Sequence, residues 1–326
     1  MKVFVTGGTG FVGGHLVRRL LAEGHTVRCL VRPTSDAADL KAAGADLVLG
    51  DVCSPDGLVE AASGCEAAVH LAALLGLWGR SEADLRRINA DGARNVARAC
   101  REAGVGRFVH VSTPGVVGIR GLALATETDE MQPTGAYERT KAEAERAVRE
   151  VFADGAERFV IVRPDFVYGP GDRRRLELFD RIRRGRFRYL GDGSAQVRPT
   201  YVDDVIDGLL LALTVPAAAG EVFNIAGPRL VSFREFTSGI AAALDAPAPR
   251  GVPVWLTRLA GLALGPVAWV RRRPPLVTGS RIRFLTVDHG TDIAKAERVL
   301  GFAPRVDLEE GLARTVAWYR DEGMLP

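Results

Sequence analysis

Cysteine is scarce in this chain of 326 residues, and the cysteines that occur stand singly. They form no CxxC pair and no spacing of a disulfide framework, which excludes the disulfide-stabilised secreted class and is typical of a reducing compartment. We therefore interpret them as ordinary packing thiols, and we predict no metal site. The four are Cys29, Cys53, Cys65 and Cys100.

The start of the chain lacks the charged and then apolar leader of an exported protein. Met1 and Lys2 run directly into a strand-like segment, Val3-Phe4-Val5, and then into glycines. Export is therefore not expected, and we predict a cytoplasmic protein.

Neither sign of charge prevails over the whole chain. It has 43 basic and 40 acidic residues, a net charge of +3, so we expect no nucleic-acid partner. The hydrophobic fraction of 47% and the charged fraction of 25% are those of an ordinary globular protein. The length allows two domains, and the composition favours a folded enzyme.

Short apolar runs alternate with helical patterns in the first half, which predicts βαβ units and a doubly wound parallel sheet of the Rossmann type. After about Gly169 the pattern changes to clusters of glycine, proline and arginine, which indicates a boundary. We predict a dinucleotide domain at 1–168, to which about 199–227 returns, and a smaller α/β substrate domain at 169–326. The predicted strands are Lys2–Thr6, Thr26–Val31, Asp46–Gly50, Ala67–Leu71, Arg107–Ser112 and Phe159–Pro164, and the predicted helices are Gly13–Glu23, Pro55–Ala62, Asn89–Ala103 and Tyr137–Ala153.

A glycine-rich turn directly follows the first strand and opens an amphipathic helix. Glycines permit a tight turn and a close approach of the backbone to a pyrophosphate, and the helix start offers unpaired N–H groups. A plain glycine-rich turn is the alternative, but its place at the head of a βαβ series favours a dinucleotide site. The predicted contact residues are Gly7, Gly10, Phe11, Val12 and Gly13.

The end of the second strand has no acidic residue to hold the ribose 2′-hydroxyl of NAD. The sequence there is Leu30-Val31-Arg32-Pro33-Thr34-Ser35, so Arg32 is the candidate partner of a 2′-phosphate and NADP(H) is favoured over NAD(H). The alternatives are a solvated Arg32, or an Asp36 that folds back. After the third strand, Asp51 and Val52 are predicted to flank the adenine, unless Asp51 caps the next helix.

Tyr137 and Lys141 open a helical stretch and lie one turn apart on one face. An ammonium near a phenol favours the phenolate, so we expect Lys141 to lower the pKa of Tyr137 and make it an acid or base. Taken alone, this spacing is common by chance.

Several further motifs occur in order, and with them the chain resembles the extended short-chain dehydrogenase/reductase family over essentially its whole length. Among its branches, the chain is most similar to the 3β-hydroxysteroid and sterol dehydrogenases and the β-keto acid reductases. The motifs are Gly7, Gly10 and Gly13, then His70-Leu71-Ala72-Ala73, Asn89 with Asn95, Ser112-Thr113, Tyr137 with Lys141, and Arg163-Pro164-Asp165-Phe166-Val167-Tyr168-Gly169-Pro170-Gly171.

The resemblance implies a role for each matching residue. Tyr137 would be the acid/base and Lys141 would bind the nicotinamide ribose, while Thr113, rather than its neighbour Ser112, would orient the substrate oxygen. Asn89 would position a water or a carbonyl in the proton path, with a helix N-cap as its alternative role. Ala72, Ala73 and Pro164 would contact the cofactor.

The resemblance also implies hydride transfer between NADP(H), or less favourably NAD(H), and a secondary alcohol or ketone. Sugar-nucleotide relatives commonly place a pyrophosphate-binding arginine where this chain has Val197, with Arg198 displaced by one position, which favours a bulky apolar substrate such as a sterol, steroid or β-keto lipid. The apolar run Val252–Val270, followed by Arg271–Arg273, is interpreted as a lid over the pocket, with peripheral contact at the inner face of the membrane as the alternative.

Two other functions are carried as alternatives. One is a nucleotide-sugar 4-epimerase or dehydratase that uses bound NAD. The other is a non-catalytic NADP-sensing regulator, although such relatives usually lose the tyrosine and the lysine. The family further implies a homodimer packed through the helices that contain Asn95 and Tyr137.

Overall fold

A seven-stranded parallel sheet forms the centre of the computed structural model, in the order β11-β6-β5-β4-β1-β2-β3. The structure describes residues 1–75, 81–119, 121, 123–154, 158–253 and 287–326. The sheet confirms the doubly wound parallel fold predicted from the alternating pattern. Its strands are β1 Lys2–Thr6, β2 Thr26–Val31, β3 Asp46–Leu49, β4 Ala67–His70, β5 Arg107–Val111, β6 Phe159–Pro164 and β11 Val222–Ile225.

Helices cover both faces of this sheet because their apolar sides pack on buried strand residues. One face is covered by α1 and α8, and the other by α3, α5 and α6. A π-helical turn, Arg87–Asp91, joins α4 to α5 where one uninterrupted helix had been predicted to begin. The helices are α1 Phe11–Ala22, α2 Ala38–Ala42, α3 Leu58–Ala62, α4 Glu82–Arg86, α5 Gly92–Glu102, α6 Ala136–Val151, α7 Leu176–Arg183, α8 Val202–Thr214, α9 Phe233–Ala243, α10 Ala294–Leu300 and α11 Leu308–Asp321.

The strand order reverses between β1 and β4, so connections leave this point in opposite directions. A crevice forms at the carboxyl ends of strands at such a point, and it is where α/β proteins bind ligands. The glycine turn after β1 and the His70-Leu71-Ala72-Ala73 motif after β4 both lie there.

A separate buried cluster lies in the second half of the chain and is rich in aromatic side chains, among them Tyr168, Phe179, Phe236 and Tyr319. The helices α7, α9 and α11 contribute most of it, and Val202 at the start of α8 adds to it. The predicted domain boundary at residue 168 stays a prediction. Among the described residues, short strands in and near this half form three two-stranded sheets, namely β7 Val167–Tyr168 with β10 Thr200–Tyr201, β9 Gln196–Val197 with β12 Val231–Ser232, and β8 Arg188–Leu190 with β13 Arg250–Val252.

The predicted lid or membrane segment, Val252–Arg273, lies outside the described residues apart from Val252 and Pro253. In the part of the chain that the structure describes, no helix combines the length and the apolar character needed to cross a membrane.

Candidate active site

The turn after β1 requires glycine at two positions. Gly7 has a φ of 77°, and a Cβ there would lie 2.6 Å from the backbone nitrogen of Ala72. A Cβ on Gly13 would overlap the carbonyl oxygen of Gly7. The two glycines therefore allow the turn to pack directly on the backbone of Ala72 and on the start of α1, which is the tight turn that the sequence predicted.

The helix that follows this turn starts without a side-chain cap. Its N-cap residue is Gly10, whose N–H donates to the Gly7 carbonyl oxygen at 3.0 Å. Phe11 and Val12 form the first turn of α1 and are partly buried. The positive end of the helix dipole and the first N–H groups point to an anionic ligand here.

The residues predicted around the adenosine lie at the ends of β2 and β3. Arg32 is exposed, while Asp36 accepts a hydrogen bond from the N–H of Ala38 at 3.2 Å and so is engaged at the start of α2. Asp51 accepts from the N–H of Cys53 at 2.9 Å. Val52 is buried, and its carbonyl oxygen accepts from Asn95 Nδ2 at 3.0 Å, which fixes this loop against α5.

Asn89 is fully buried in the π-helical turn, and its amide is already engaged. Its Oδ1 accepts from the N–H of Leu74 at 2.7 Å, and its Nδ2 donates to the Leu74 carbonyl and to Thr140 Oγ1, both at 3.0 Å. The alternative role as a helix N-cap is wrong, because the residue lies inside a continuous helical stretch. Its amide holds the segment after β4 against α6.

Lys141 lies inside α6, 2% exposed, and Nζ donates to the Val111 carbonyl oxygen at 2.6 Å. Burial lowers the pKa of Lys141 to about 8, although the Glu145 carboxylate one turn later acts in the opposite direction. The ammonium is therefore held at the carboxyl end of β5.

Tyr137 is partly buried in the first turn of α6, and the pKa of its phenol differs from the expectation. Burial raises the pKa of Tyr137 to about 12, the Glu138 carboxylate adds to the rise, and Arg174 opposes it. The predicted lowering by Lys141 is wrong here because desolvation of the phenolate prevails. The phenol is thus protonated at neutral pH and suits donation of a proton.

The structure distinguishes the two candidate hydroxyl groups after β5, those of Ser112 and Thr113. Ser112 is buried and its Oγ makes no hydrogen bond within the described residues. Thr113 lines a cavity, and its Oγ1 accepts from the N–H of Gly115 at 3.2 Å. A substrate oxygen in the cavity can reach Thr113 and not Ser112.

This cavity has a volume of about 370 Å³ and is lined by both apolar and polar side chains. Pro164 and Phe166 lie in its wall, and Phe166 adopts a φ of 31°, a strained value for a bulky side chain. The side chains that line it are those of Thr113, Pro114, Ile119, Ala125, Thr134, Glu138, Pro164, Asp165, Phe166, His289 and Thr291.

Sequence reasoning assigned no individual role to the two carboxylates of this wall, Glu138 and Asp165, although Asp165 belongs to the motif that follows Pro164. Each is the direct neighbour of a predicted residue, Tyr137 and Pro164, and this adjacency was the available signal. Asp165 is 7% exposed, and its Oδ2 accepts from Thr291 Oγ1 at 2.9 Å.

Burial raises the pKa of Asp165 to about 6 from its usual 3.8. The folded state therefore binds this proton more tightly than the unfolded chain, and the stability of the protein should fall as the pH rises from about 4 to 6. Because each pKa unit is worth about 1.4 kcal/mol, the cost approaches 3 kcal/mol above pH 6. Urea unfolding between pH 4 and 8 should show that Asp165→Asn removes this part of the pH dependence, whereas equal slopes in both proteins would contradict the assignment.

Arg198 does not lie in the cavity wall. It is 9% exposed and donates to the carbonyl oxygens of Gly227 at 2.7 Å and Thr291 at 2.6 Å. An arginine engaged with backbone carbonyls in this way does not offer its guanidinium to a sugar-nucleotide pyrophosphate.

Comparison with known proteins gives the family of this chain. A family model described as "NAD dependent epimerase/dehydratase family" matches residues 3–226. The chain belongs to that family. The resemblance to extended short-chain dehydrogenases/reductases is thereby confirmed, and this family member is an NAD(P)-dependent enzyme.

The relatives of this chain include a 3-oxoalkanoate reductase and a sterol dehydrogenase, which are the two groups to which the sequence was most similar. The 2-alkyl-3-oxoalkanoate reductase of Stenotrophomonas maltophilia (strain K279a) is 33% identical and covers 97% of this chain and 99% of its own. The sterol-4-alpha-carboxylate 3-dehydrogenase, decarboxylating, of Mus musculus is 30% identical over 97% of this chain and 90% of its own. The crystal structure of DesIV, a dTDP-glucose 4,6-dehydratase from Streptomyces venezuelae with NAD bound, matches with a TM-score of 0.79 and 29% identity over 98% of this chain and 97% of its own.

The residues of this chain fit a dinucleotide cofactor. Glycine at positions 7 and 13 permits the tight turn that leads into the uncapped start of α1, and Lys141 presents a buried ammonium at the end of β5. Ala72 lies against the turn from the β4 side, and Ala73 beyond it is exposed. The glycine turn and Ala72 lie at the strand-order reversal, and Lys141 lies at the end of β5. Thr113 and Pro164 line the cavity, whereas Tyr137, Lys141 and Asn89 are not among the residues of its wall.

Proposed function

We propose that the protein is an NADP(H)-dependent ketoreductase, or in reverse a secondary alcohol dehydrogenase, of a bulky apolar substrate. The observation that carries this proposal is the cavity between Thr113 and Pro164, whose wall includes Pro114, Ile119 and Phe166. Its volume of about 370 Å³ suits a compact apolar ligand or part of a larger one. The names of the two relatives, one for an oxoalkanoate and one for a sterol, support the same class.

In this function some side chains would position the substrate and the cofactor, and Tyr137 would transfer the proton. Bound NADP(H) supplies the hydride at C4 of its nicotinamide. Thr113 would donate a hydrogen bond to the substrate oxygen, and Tyr137 would transfer its phenolic proton to that oxygen in ketone reduction. Lys141, fixed by the Val111 carbonyl, would hold the nicotinamide ribose, and Asn89 would keep α6 in register.

The nucleotide-sugar epimerase or dehydratase is the competing function, since DesIV is a sugar-nucleotide enzyme. The engagement of Arg198 with carbonyl oxygens disfavours it. The test is turnover of ketosteroids, esters of 3-oxo acids and UDP-sugars by the purified protein with NADPH. Oxidation of NADPH with an apolar ketone supports the proposal, whereas retained NAD with conversion of a UDP-sugar overturns it.

We propose a preference for NADP(H) because Arg32 is exposed where a 2′-phosphate would lie and Asp36 is engaged with Ala38. A charge-assisted hydrogen bond is worth about 1.5–3 kcal/mol, so Arg32→Ala should weaken NADPH binding by about tenfold or more and leave NADH binding little changed. Fluorescence titration measures both, and Lys41→Ala on the exposed side of α2 is the control. Tighter binding of NADH than of NADPH to the unaltered protein would contradict the preference.

We also propose a homodimer packed through α5 and α6. The outward faces of these helices carry charged pairs, among them Arg94 with Glu150 at 2.8 Å, so contacts between two copies would be ionic. Light scattering should give twice the 35.0 kDa chain mass, and Arg98→Glu on the exposed face of α5 should shift it towards one chain while Lys41→Glu does not. A single-chain mass at about 50 µM protein would contradict the dimer.

A further inference from the structure

The loop 169–175, between β7 and α7, lies against the start of α1. The Pro170 carbonyl oxygen is 2.8 Å from His15 Nε2, and a Cβ on Gly171 would lie 3.3 Å from Cδ2 of Phe11. Phe11 belongs to the first turn of α1, where the dinucleotide is expected. The loop ends in three consecutive arginines, so their side chains start from a backbone that is fixed beside the cofactor site.

A buried carboxylate in this loop is shared by two guanidinium groups. Asp172 is 1% exposed, its Oδ1 lies 3.1 Å from Arg174 Nε, and its Oδ2 lies 3.1 Å from Arg175 Nε. Among the described residues, neither arginine has a second carboxylate within ion-pair distance. Two positive charges therefore meet one negative charge, and one positive charge in this part of the structure is left without a counter-ion.

Arg175 is held by further contacts and has a structural role. Its Nη2 donates to the Val167 carbonyl oxygen at 2.8 Å, and its guanidinium carbon lies 4.3 Å from the centroid of the Phe166 ring. Phe166 is part of the wall of the proposed substrate cavity. The shared carboxylate therefore connects Arg174 to that wall through Arg175.

Arg174 keeps its two terminal nitrogens open. In the part of the chain that the structure describes, its backbone N–H and its Nε donate to Asp172 Oδ1 at 3.2 and 3.1 Å, and its Nη groups make no hydrogen bond. Its side chain is 51% exposed, yet its charge reaches the Tyr137 phenol, where it opposes the rise in pKa that burial causes. The open end of a guanidinium is thus felt at the proposed proton donor.

A carboxylate is the group that this open end would recognise. The planar guanidinium offers two parallel N–H donors, which match the two oxygens of one carboxylate. A 3-oxo acid carries a carboxylate beside its reacting carbonyl, so it could place the carbonyl at Tyr137 and the acid group at Arg174. The phosphates of the cofactor are the other anions nearby, but the N–H groups at the start of α1 are expected to bind them.

We infer, on the basis of the function proposed above, that Arg174 binds the carboxylate of a 3-oxo acid and determines specificity for such acids over neutral ketones. Asp172 fixes the guanidinium at Nε, and the Nη groups would donate to the two substrate oxygens. Glu138 lines the cavity and acts on Tyr137 in the opposite sense to Arg174, so repulsion would keep the acid group on the Arg174 side.

The kinetic test compares freshly prepared 3-oxooctanoate with its methyl ester as substrates of the full chain with NADPH at about pH 7.5. The kcat/KM of the unaltered protein should be higher for the acid by about tenfold or more, as expected for a charge-assisted bidentate pair. Arg174→Gln should bring this ratio close to one, and Arg174→Lys, which keeps the charge and loses the fork, should give an intermediate ratio. Both substrates need the same proton, so a change in the Tyr137 phenol alone would not alter the ratio.

Arg173→Gln is the matched control. Arg173 is the preceding arginine, its side chain is 72% exposed, and its Nη2 lies 3.8 Å from Glu322 Oε2. This variant should keep the ratio of the unaltered protein. Equal use of acid and ester by the unaltered protein, or a ratio that Arg174→Gln does not change, overturns the inference.

A binding measurement separates the inference from the proposed function. In calorimetric titration with 3-hydroxyoctanoate and its methyl ester, in the presence of NADP⁺, Arg174→Gln should weaken binding of the acid by about tenfold or more and of the ester by much less. Weaker NADPH binding by Arg174→Gln with unchanged acid binding would assign Arg174 to a cofactor phosphate and overturn the inference. If no ketone is reduced, the proposed function fails, and the titration still decides whether Arg174 binds a carboxylate.

Discussion

Tyr137→Phe should lower kcat/KM for ketone reduction by about 10²–10⁴-fold, the range typical of a lost general acid. The phenol is the proton donor that we place beside the substrate oxygen, and its pKa, raised to about 12 by burial, keeps it protonated throughout the neutral range. Phenylalanine keeps the ring and removes the proton. NADPH oxidation with an apolar ketone measures the loss, and NADPH titration should show unchanged cofactor binding.

Tyr189→Phe is the matched control for this substitution. Tyr189 is buried in the aromatic cluster of the second half, away from the end of β5 and the start of α6, where the catalytic candidates lie. Its activity should stay within about twofold. Full activity in Tyr137→Phe would overturn the assignment of Tyr137 as the proton donor. If both the unaltered protein and Tyr137→Phe bind NADPH but reduce no ketone, the protein is the non-catalytic sensor.

The pH dependence gives a second readout of the same residue. A donor with a pKa near 12 does not ionise between pH 6 and 10, so Tyr137 should not make reduction slower as the pH rises through this range. A loss of rate with an apparent pKa near 8 would instead point to Lys141, whose ammonium loses its proton there.

The sheet was predictable because its strands are short apolar runs between helices of clear periodicity. All six predicted strands occur, and the observed ends differ by no more than one residue, as at β3, which ends at Leu49 instead of Gly50. The seventh strand, β11, comes from the region around 199–227 that was expected to return to the first domain. Periodicity reports burial along one element, and this is sufficient to find strands.

The engagement of individual side chains was not predictable in the same way. The amide of Asn89 is used by Leu74 and Thr140, and Arg198 is used by Gly227 and Thr291, which lie 29 and 93 residues further along the chain. The pKa of Tyr137 follows from how far the folded chain shields its phenol from water, which the periodicity of α6 does not report. Such contacts join distant segments, so only the folded chain shows which polar groups are free for chemistry.

Arg163 and Glu145 form a buried ion pair that links β6 to α6. The guanidinium Nε and Nη2 donate to the two carboxylate oxygens at 2.8 and 2.7 Å, and the side chains are 2% and 0% exposed. Glu145 lies one turn after Lys141, which itself lies one turn after Tyr137. The pair therefore fixes the end of the helical face that presents the catalytic candidates.

Glu145→Gln should cost about 3–5 kcal/mol of unfolding free energy, because it leaves the Arg163 guanidinium charged and without a counter-ion in the interior. The pair Lys295 and Glu221 is the control, since its charged atoms are 2.7 Å apart but its side chains are 23% and 49% exposed, and it lies away from α5 and α6. Glu221→Gln should cost no more than about 1 kcal/mol in the same urea titration. Similar losses in both variants would contradict the difference in burial as the cause.

The double substitution Glu145→Leu with Arg163→Met should recover much of that loss, because no isolated charge remains in the interior. It should not recover activity at neutral pH. Glu145 raises the pKa of Lys141 against the effect of burial, so without it the ammonium loses its proton at lower pH. A pH profile of NADPH binding that moves to lower pH in the stable double variant would show that the pair supports Lys141 as well as the fold, whereas an unmoved profile would limit its role to stability.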